Sequence, residues 1–411
     1  MVRRHRHARI GHHPAHMERP LKIAHCVEAY APAPGGMAEV VRQLSERMAR
    51  NGHRITVLTS AHPERPDGER NGVMVKGFAV RGNAVDGITG DKQAYLAALR
   101  DGGFDVITLF AAQQWATDLV LPELATLHAR KVFVPTGFSA LHDARWAAYY
   151  RAMPEWLAAM DVNVFHSEGY QDAAFARSLG LRNTMLIPNG ASEEEFSGPL
   201  QADIRRELGL RDEDQLIVHV GSFTGIKGHR EALELFIRAR TGNATLLLVG
   251  NGVRVLEEAF RRHPRYWALR LSSMLKSKRI EFREWNRIRT VAAMRQADLF
   301  LFPSNLECSP IVLFEAMASG LPFLSSDAGN AAEIACWTKG GWILPCERDE
   351  RALVRTCIAD GVRQLSALLA DRALLKTTGI AGQGAWRERF TWGRIAARYL
   401  EEYQRLVNGT S

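Results

Sequence analysis

Two glutamates separated by seven residues, Glu307 and Glu315, lie in the stretch Asn305–Pro322, NLECSPIVLFEAMASGLP. Ser309 is a good N-cap and Pro310 suits the first helical position, so the pattern predicts a helix over Ile311–Ser319 that ends at Gly320. The apolar run DLFLFPS delivers the chain to that helix. The first backbone N–H groups of a helix lack intrahelical partners and favour an anion. Glu307 precedes the cap, and Glu315 lies roughly 7–8 Å beyond it along the axis. Two carboxylates so placed, one beside an anion site and one deeper, suit the hydroxyls of a ribose diol or a sugar. The plainer alternative is a surface helix carrying two solvated glutamates.

Two further stretches have the composition of phosphate-facing turns. In His219–Arg230 (HVGSFTGIKGHR) a strand ends at Gly221, and Lys227-Gly228 precedes the next helix. A lysine at a strand's carboxyl end, beside a helix N-terminus, can meet phosphate oxygens, although a solvated loop lysine fits the same pattern. In Ala31–Glu39 (APAPGGMAE) the pair Gly35-Gly36 allows close backbone approach where a strand turns into a helix, as many plain turns also do.

The elements that must carry these residues alternate along the chain. Apolar runs at Leu21–Val27, Arg54–Thr59, Val73–Val80, Asp105–Phe110, Lys131–Val134, Val162–His166 and Met185–Pro188 are separated by helical patterns such as Ala38–Arg50. The pattern restarts at Gln215–Gly221 and runs through Ala244–Gly250, Arg279–Arg283, Asp298–Phe302, Pro322–Ser325 and Gly341–Leu344. Continuous apolar strands between helices predict parallel sheets covered on both faces. The fold class is therefore α/β, with two doubly wound Rossmann-like domains facing each other across a cleft. Residues 1–20 read as a disordered basic leader, 21–195 as the first domain and 196–389 as the second. The acid-rich segment Ala191–Asp214 joins them. An amphipathic helix over 390–408, with Ile395, Tyr399 and Tyr403 on one face, packs back on the first domain.

Composition limits the function classes. Hydrophobic residues are 46% and charged residues 24% of 411, which is ordinary for a globular chain. The formal charge of +8 is unevenly placed. The first twenty residues carry five Arg and one Glu, and Arg261–Arg289 carries ten Lys/Arg against two Glu. The remainder is mildly acidic, and no nucleic-acid module is present, so nucleic acid is not an expected partner. The basic band also holds Tyr266, Trp267 and Trp285. It reads either as a charged outer face over buried aromatics or as a peripheral contact with an anionic membrane. The segment Arg145–Trp156 offers the same two readings. Five cysteines without C-x-x-C spacing read as free thiols in a reducing compartment. No apolar run approaches the roughly 20 residues of a membrane helix, and the expected location is the cytoplasm or the inner membrane face. Asp212-Glu213-Asp214 reads as solvated linker, so no metal is expected.

Taken in this order, the stretches resemble glycosyltransferase family 4, the group 1 transferases of the GT-B fold. The resemblance runs from about residue 21 to 408 and is most specific at the Glu307/Glu315 pair. PGGMAEVVRQLSERMARNGHRITVLT, LIPNGASEEEF, VGSFTGIKGHREAL and LLLVGNG support it. It implies retaining transfer of a sugar from a nucleotide diphosphate sugar, bound as co-substrate, to a glycan, lipid-linked or small-molecule acceptor in cell-surface polysaccharide or glycoconjugate synthesis. Neither a cofactor nor a metal is implied. By position Glu315 matches the ribose-binding acid. Glu307 and the backbone through Cys308, Ser309, Pro310 and Ile311 match the contacts to the donor sugar. Lys227 matches the diphosphate cation, with Gly221 and Ser222 at the same strand end. Gly35 and Gly36 match the turn that approaches phosphates or acceptor. Lys227 and Glu307 are the implied catalytic pair.

Two departures stand out. Ser222 fills the slot where the family usually has arginine, and Arg230 and Arg283 are the expected substitutes. Thr136-Gly137 replaces the usual His-Gly, with His142 as a distant stand-in. These departures keep two alternatives open, a catalytically weakened sugar-nucleotide binder and a GT-B sugar-nucleotide epimerase.

Overall fold

A computed structural model describes residues 19–262, 278–350 and 353–409. Residues 1–18 of the basic leader, and Tyr266 and Trp267 of the basic band, lie outside the described residues.

Strand β1 (Lys22–Cys26) is buried at Ile23, Ala24, His25 and Cys26, on both of its faces. That is the environment of a central parallel strand, and it is why the run is continuously apolar rather than alternating. The helix Gly36–Arg50 follows and buries Val40, Val41, Leu44 and Met48. It begins at the second glycine of the Gly-Gly turn, two residues before the expected start. β2 (Arg54–Ser60) then pairs parallel to β1.

The first sheet continues with β3 (Gly68–Arg70), β4 (Val73–Phe78), β7 (Val106–Phe110), β8 (Arg130–Val134), β9 (Val162–Phe165) and β10 (Thr184–Leu186). Its order is β10-β9-β8-β7-β1-β2-β4-β3, parallel except for β3 against β4. Between β4 and β7 a separate hairpin forms from β5 (Val80–Asn83) and β6 (Gly87–Gly90).

The second sheet has β11 (Gln215–Val220), β12 (Ala244–Val249), β13 (Lys278–Arg283), β14 (Leu299–Phe302), β15 (Phe323–Ser325) and β16 (Gly341–Ile343). Its order, β13-β12-β11-β14-β15-β16, is parallel throughout. Each sheet reverses its winding direction beside its central strand, at β1/β7 and at β11/β14. Crevices at the carboxyl ends of strands open at such points.

Two crossings join the domains. The segment Ile187–Ala191 leaves the first, and Phe390–Trp392 returns to it. Ala191 N–H donates to Phe390 O at 3.0 Å, and Trp392 N–H donates to Ala191 O at 3.2 Å. A Cβ at Gly190 would lie 2.6 Å from Phe390 O, so this crossing has no room for a side chain. The helix Trp392–Asn408 then buries Ile395, Tyr399 and Tyr403 in the core that holds Val40, Leu44 and Phe110. In the Arg145–Trp156 segment, Trp146, Tyr149, Tyr150 and Met153 are buried against β7 and β8 residues in the other half of that domain's core. Cys26 is buried, whereas Cys336 is exposed.

The Tyr403 hydroxyl meets Thr108 Oγ1 of β7 at 2.6 Å inside the core. Tyr403→Phe leaves Thr108 buried without a partner and is expected to cost about 1–3 kcal/mol in urea denaturation. Adding Thr108→Val should restore most of that loss. Additive losses in the double variant would contradict a shared hydrogen bond.

Candidate active site between the two sheets

The carboxyl ends of both sheets open onto one cleft of about 730 Å³. The first domain lines it with the turn Ala31–Gly36 after β1, Thr136 after β8 and His166 after β9. The second lines it with Gly221, Ser222 and Lys227 after β11, Trp285 and Arg287 after β13, and Glu307 through Ile311 after β14. Every residue matched by position to the family's donor contacts lies on this one surface, Glu315 included. The domains meet at its throat, where a Cβ on Gly36 would touch Ile311 Cδ1 at 3.4 Å.

The helix that carries Glu315 spans Ile311–Ala318. Its N-cap is Pro310 and no side chain caps it, which corrects the expected role of Ser309. Pro310 has an extended ψ of 109°, so it is the last residue before the helix rather than the first within it. The Ser309 hydroxyl is therefore one position too early to reach the free N–H groups, and it is buried without a partner.

Lys227 Nζ donates to Glu307 Oε1 at 2.7 Å. Ser304 Oγ donates to the same oxygen at 2.8 Å, so the carboxylate is held from two sides. The placement depends on Gly228, whose φ is 74° and whose Cβ would lie 2.0 Å from Pro303 O. The loop after β11 is thus pressed onto the end of β14, and Lys227 lands beside Glu307. An ammonium has three donors, and Glu307 takes one. The side chain remains 29% exposed toward the cleft.

Glu315 is 5% exposed, and Arg287 Nη2 lies 2.7 Å from its Oε1. Arg287 also binds Glu195, in the short helix Glu193–Ser197 of the connecting segment. Burial acts to lower the Arg287 pKa, but Glu315 and Glu195 overcome it and the guanidinium stays charged. Arg42 extends the chain of charge, pairing with Glu39 at 2.7 Å and lying 3.9 Å from Glu195.

Neither expected substitute for the missing arginine reaches the cleft. Arg230 is exposed, and Arg283 pairs with Glu281 at 2.7 Å. Among the described residues the arginines that line it, Arg42 and Arg287, are both committed to carboxylates. His142 is likewise exposed and outside the lining. Asp212–Asp214 also lies away from the cleft, where Arg211 pairs with Glu213 at 3.0 Å and Asp214 at 2.9 Å. Sequence reasoning passed over Arg42, Glu195, Arg287, His166 and Asn189. His166 carried a usable signal, since it ends a run read as a strand and strand ends form the ligand edge of such a sheet.

The turn Thr136–Phe138 has φ values of 61°, 109° and 49°, and a Cβ on Gly137 would lie 2.9 Å from Cys308 Cβ. Asp172 holds it by accepting from Gly137 N–H at 2.8 Å, and it also accepts from Ala173 N–H at 2.9 Å. Burial pushes the Asp172 carboxyl up to about 6 despite these donors.

Two parallel α/β domains with a shared cleft at their strand ends define the GT-B fold. Solved structures agree: sucrose-phosphate synthase from Thermosynechococcus elongatus superposes with a TM-score of 0.74 at 21% identity, covering 94% of this chain and 99% of that one. Anabaena HepE in complex with UDP-glucose gives 0.64 at 18%, over 93% and 99%. At the level of sequence, residues 201–359 match the model for glycosyl transferases group 1, and residues 34–195 match that for glycosyltransferase family 4. GDP-mannose:cellobiosyl-diphosphopolyprenol alpha-mannosyltransferase of Xanthomonas campestris is 24% identical over 398 residues, 93% of this chain and 96% of that protein. The chain belongs to the group 1, family 4 glycosyltransferases.

The buried Asp172 gives a pH prediction. Its folded value of about 6 lies above the ordinary 3.8, so folding takes up a proton between the two. Its contribution is greatest below about pH 4 and declines as pH rises through 6. Relative to Asp172→Asn, which does not titrate, wild-type stability should fall by up to about 3 kcal/mol across that window. Asp118, also pushed up to about 6 by burial, is common to both proteins and cancels. A pH-independent difference in urea denaturation would contradict the assignment.

Proposed function

We propose that this transferase moves a hexose from a nucleotide diphosphate sugar to a saccharide or lipid-linked acceptor, with retention of anomeric configuration and without a metal. The observation that carries this reading is the division of the cleft. Lys227 and Glu307 stand together at one strand end, and Glu315 is held by Arg287 deeper along the helix. Glu315 is placed to accept hydrogen bonds from the ribose diol, and Lys227 to meet the diphosphate.

Breaking the anomeric bond builds negative charge on the leaving diphosphate and positive charge on the sugar. A preorganised cation at the developing anion is usually a large catalytic term. Lys227 supplies it, already oriented by Glu307 and Gly228. The acceptor attacks from the leaving-group side, so its hydroxyl proton passes to the departing phosphate and no separate base is required. The mannosyltransferase relative is named for GDP-mannose and HepE was solved with UDP-glucose, which supports a nucleotide hexose as donor.

Ser222 and Thr136 favour one alternative, a binder of slow turnover. Incubation with donor alone separates the two: release of nucleoside diphosphate supports the transferase, and tight binding with none supports the binder.

Glu315→Ala and Lys227→Ala are each expected to weaken donor binding by about tenfold or more in calorimetry, with native far-UV spectra. Unchanged affinity in both variants would overturn these roles.

A further inference from the structure

The loop that carries Lys227 runs from Gly221, just after β11, to His229, the first residue of the helix His229–Arg238. Its two halves are held differently. Ile226 O accepts from Asn305 N–H at 2.8 Å and from Ser304 Oγ at 3.1 Å, so the half next to Lys227 is pinned to the end of β14. The other half exposes Ser222, Thr224 and Gly225, and Phe223 N–H ties it to Asn251 O at 2.8 Å. Where this half leaves the strand, Gly221 O accepts from His229 Nε2 at 3.0 Å. That bond runs back across the loop and joins its first residue to its last.

A carbonyl can only accept, so His229 Nε2 carries the proton. The ring is buried and its orientation is set by its neighbours: the His219 ring lies 4.4 Å away and the Phe223 ring 5.6 Å away, both edge-on. His219 is fixed in turn, with Nδ1 2.8 Å from Leu301 O and its ring stacked on Phe302. Burial, with a smaller effect from the charge of Lys227, pushes the His229 pKa down to about 4, so the donor is a neutral imidazole at neutral pH. A Cβ on Gly221 would lie 3.4 Å from Lys227 Cβ and 3.7 Å from His229 Cε1, so the three residues meet at the base of the loop. Ser222 supplies no second cation there, which leaves the loop's geometry to place one ammonium.

We propose that His229 is a positioning residue for the transfer: its bond to Gly221 O fixes the loop so that the Lys227 ammonium stands where the diphosphate arrives. This rests on the donor-site reading above and extends it to a residue outside the lining of the cleft.

Three variants separate positioning from packing. His229→Leu keeps an apolar body and removes the donor. His229→Asn keeps an amide, but over Nδ1 and short of Gly221 O. His229→Gln places an amide N–H over Nε2 and retains the bond. Calorimetry with UDP, GDP and ADP is run on wild type and on each variant, alone and combined with Lys227→Ala, with far-UV spectra to check folding. His229→Leu and His229→Asn should each bind the nucleoside diphosphate that wild type binds about three- to tenfold more weakly, and His229→Gln should stay within about twofold of wild type. Combined with Lys227→Ala, loss of the His229 donor should add less than about twofold, because no ammonium is left to place. Wild-type affinity in both donor-less variants overturns the proposal. So does a loss in His229→Gln as great as in His229→Leu, or an undiminished further loss on top of Lys227→Ala. Failure of both donor-less variants to fold would assign the bond to stability alone and overturn it as well. If Lys227→Ala binds as wild type does, or wild type binds no nucleoside diphosphate, the donor-site reading itself fails.

Discussion

The geometry of this molecule depends on the place where the chain crosses between its domains twice. Ala191 is hydrogen-bonded to Phe390 and Trp392, and Gly190 lets the two crossings touch. Trp386 and Trp392 are buried on either side of the junction. Because both crossings leave from one point, the carboxyl ends of the two sheets face each other, and residues more than 250 apart in sequence share a cleft. The charges beside the junction add orientation. Arg47 pairs with Glu193 at 3.0 Å, Arg50 with Glu194, and Arg42 approaches Glu195. An exposed pair such as Arg50–Glu194 contributes roughly 0–1 kcal/mol, so the buried aromatics and the backbone bonds set the junction and the ion pairs align it.

From that junction charge runs into the site. Glu195 sits between Arg42 of the first domain and Arg287 of the second, and Arg287 holds Glu315. The carboxylate proposed for the ribose is thus connected to the segment that joins the domains. Also in the second domain's lining, Lys227 is fixed by Glu307 and by a backbone that only glycine permits at 228.

Much of the fold was legible because parallel strands buried on both faces must be apolar throughout. Runs such as Ala244–Val249 and Leu299–Phe302 have one physical explanation. The hairpin at Val80–Gly90 was not, since its glycines and polar residues carry no apolar run. The site was legible where backbone chemistry dictates residue type, as at Lys227-Gly228 and around Glu315. It was not legible where selection among like residues matters. Nothing in a band of ten cations marks Arg287 as the one that turns toward Glu315, because that depends on Glu195 brought in from another segment. Ser309 misled for a local reason: the ψ of Pro310 decides which residue caps, and composition does not report it.

The central claim is that this cleft binds a nucleotide diphosphate sugar across both domains. Thermal unfolding against a panel of UDP-, GDP- and ADP-sugars tests it most directly. A ligand bound only by the native state raises the melting temperature with its concentration. The account predicts such a rise for at least one base series, larger for the nucleotide sugar than for the free hexose. A melting temperature unmoved by every member of the panel would contradict it.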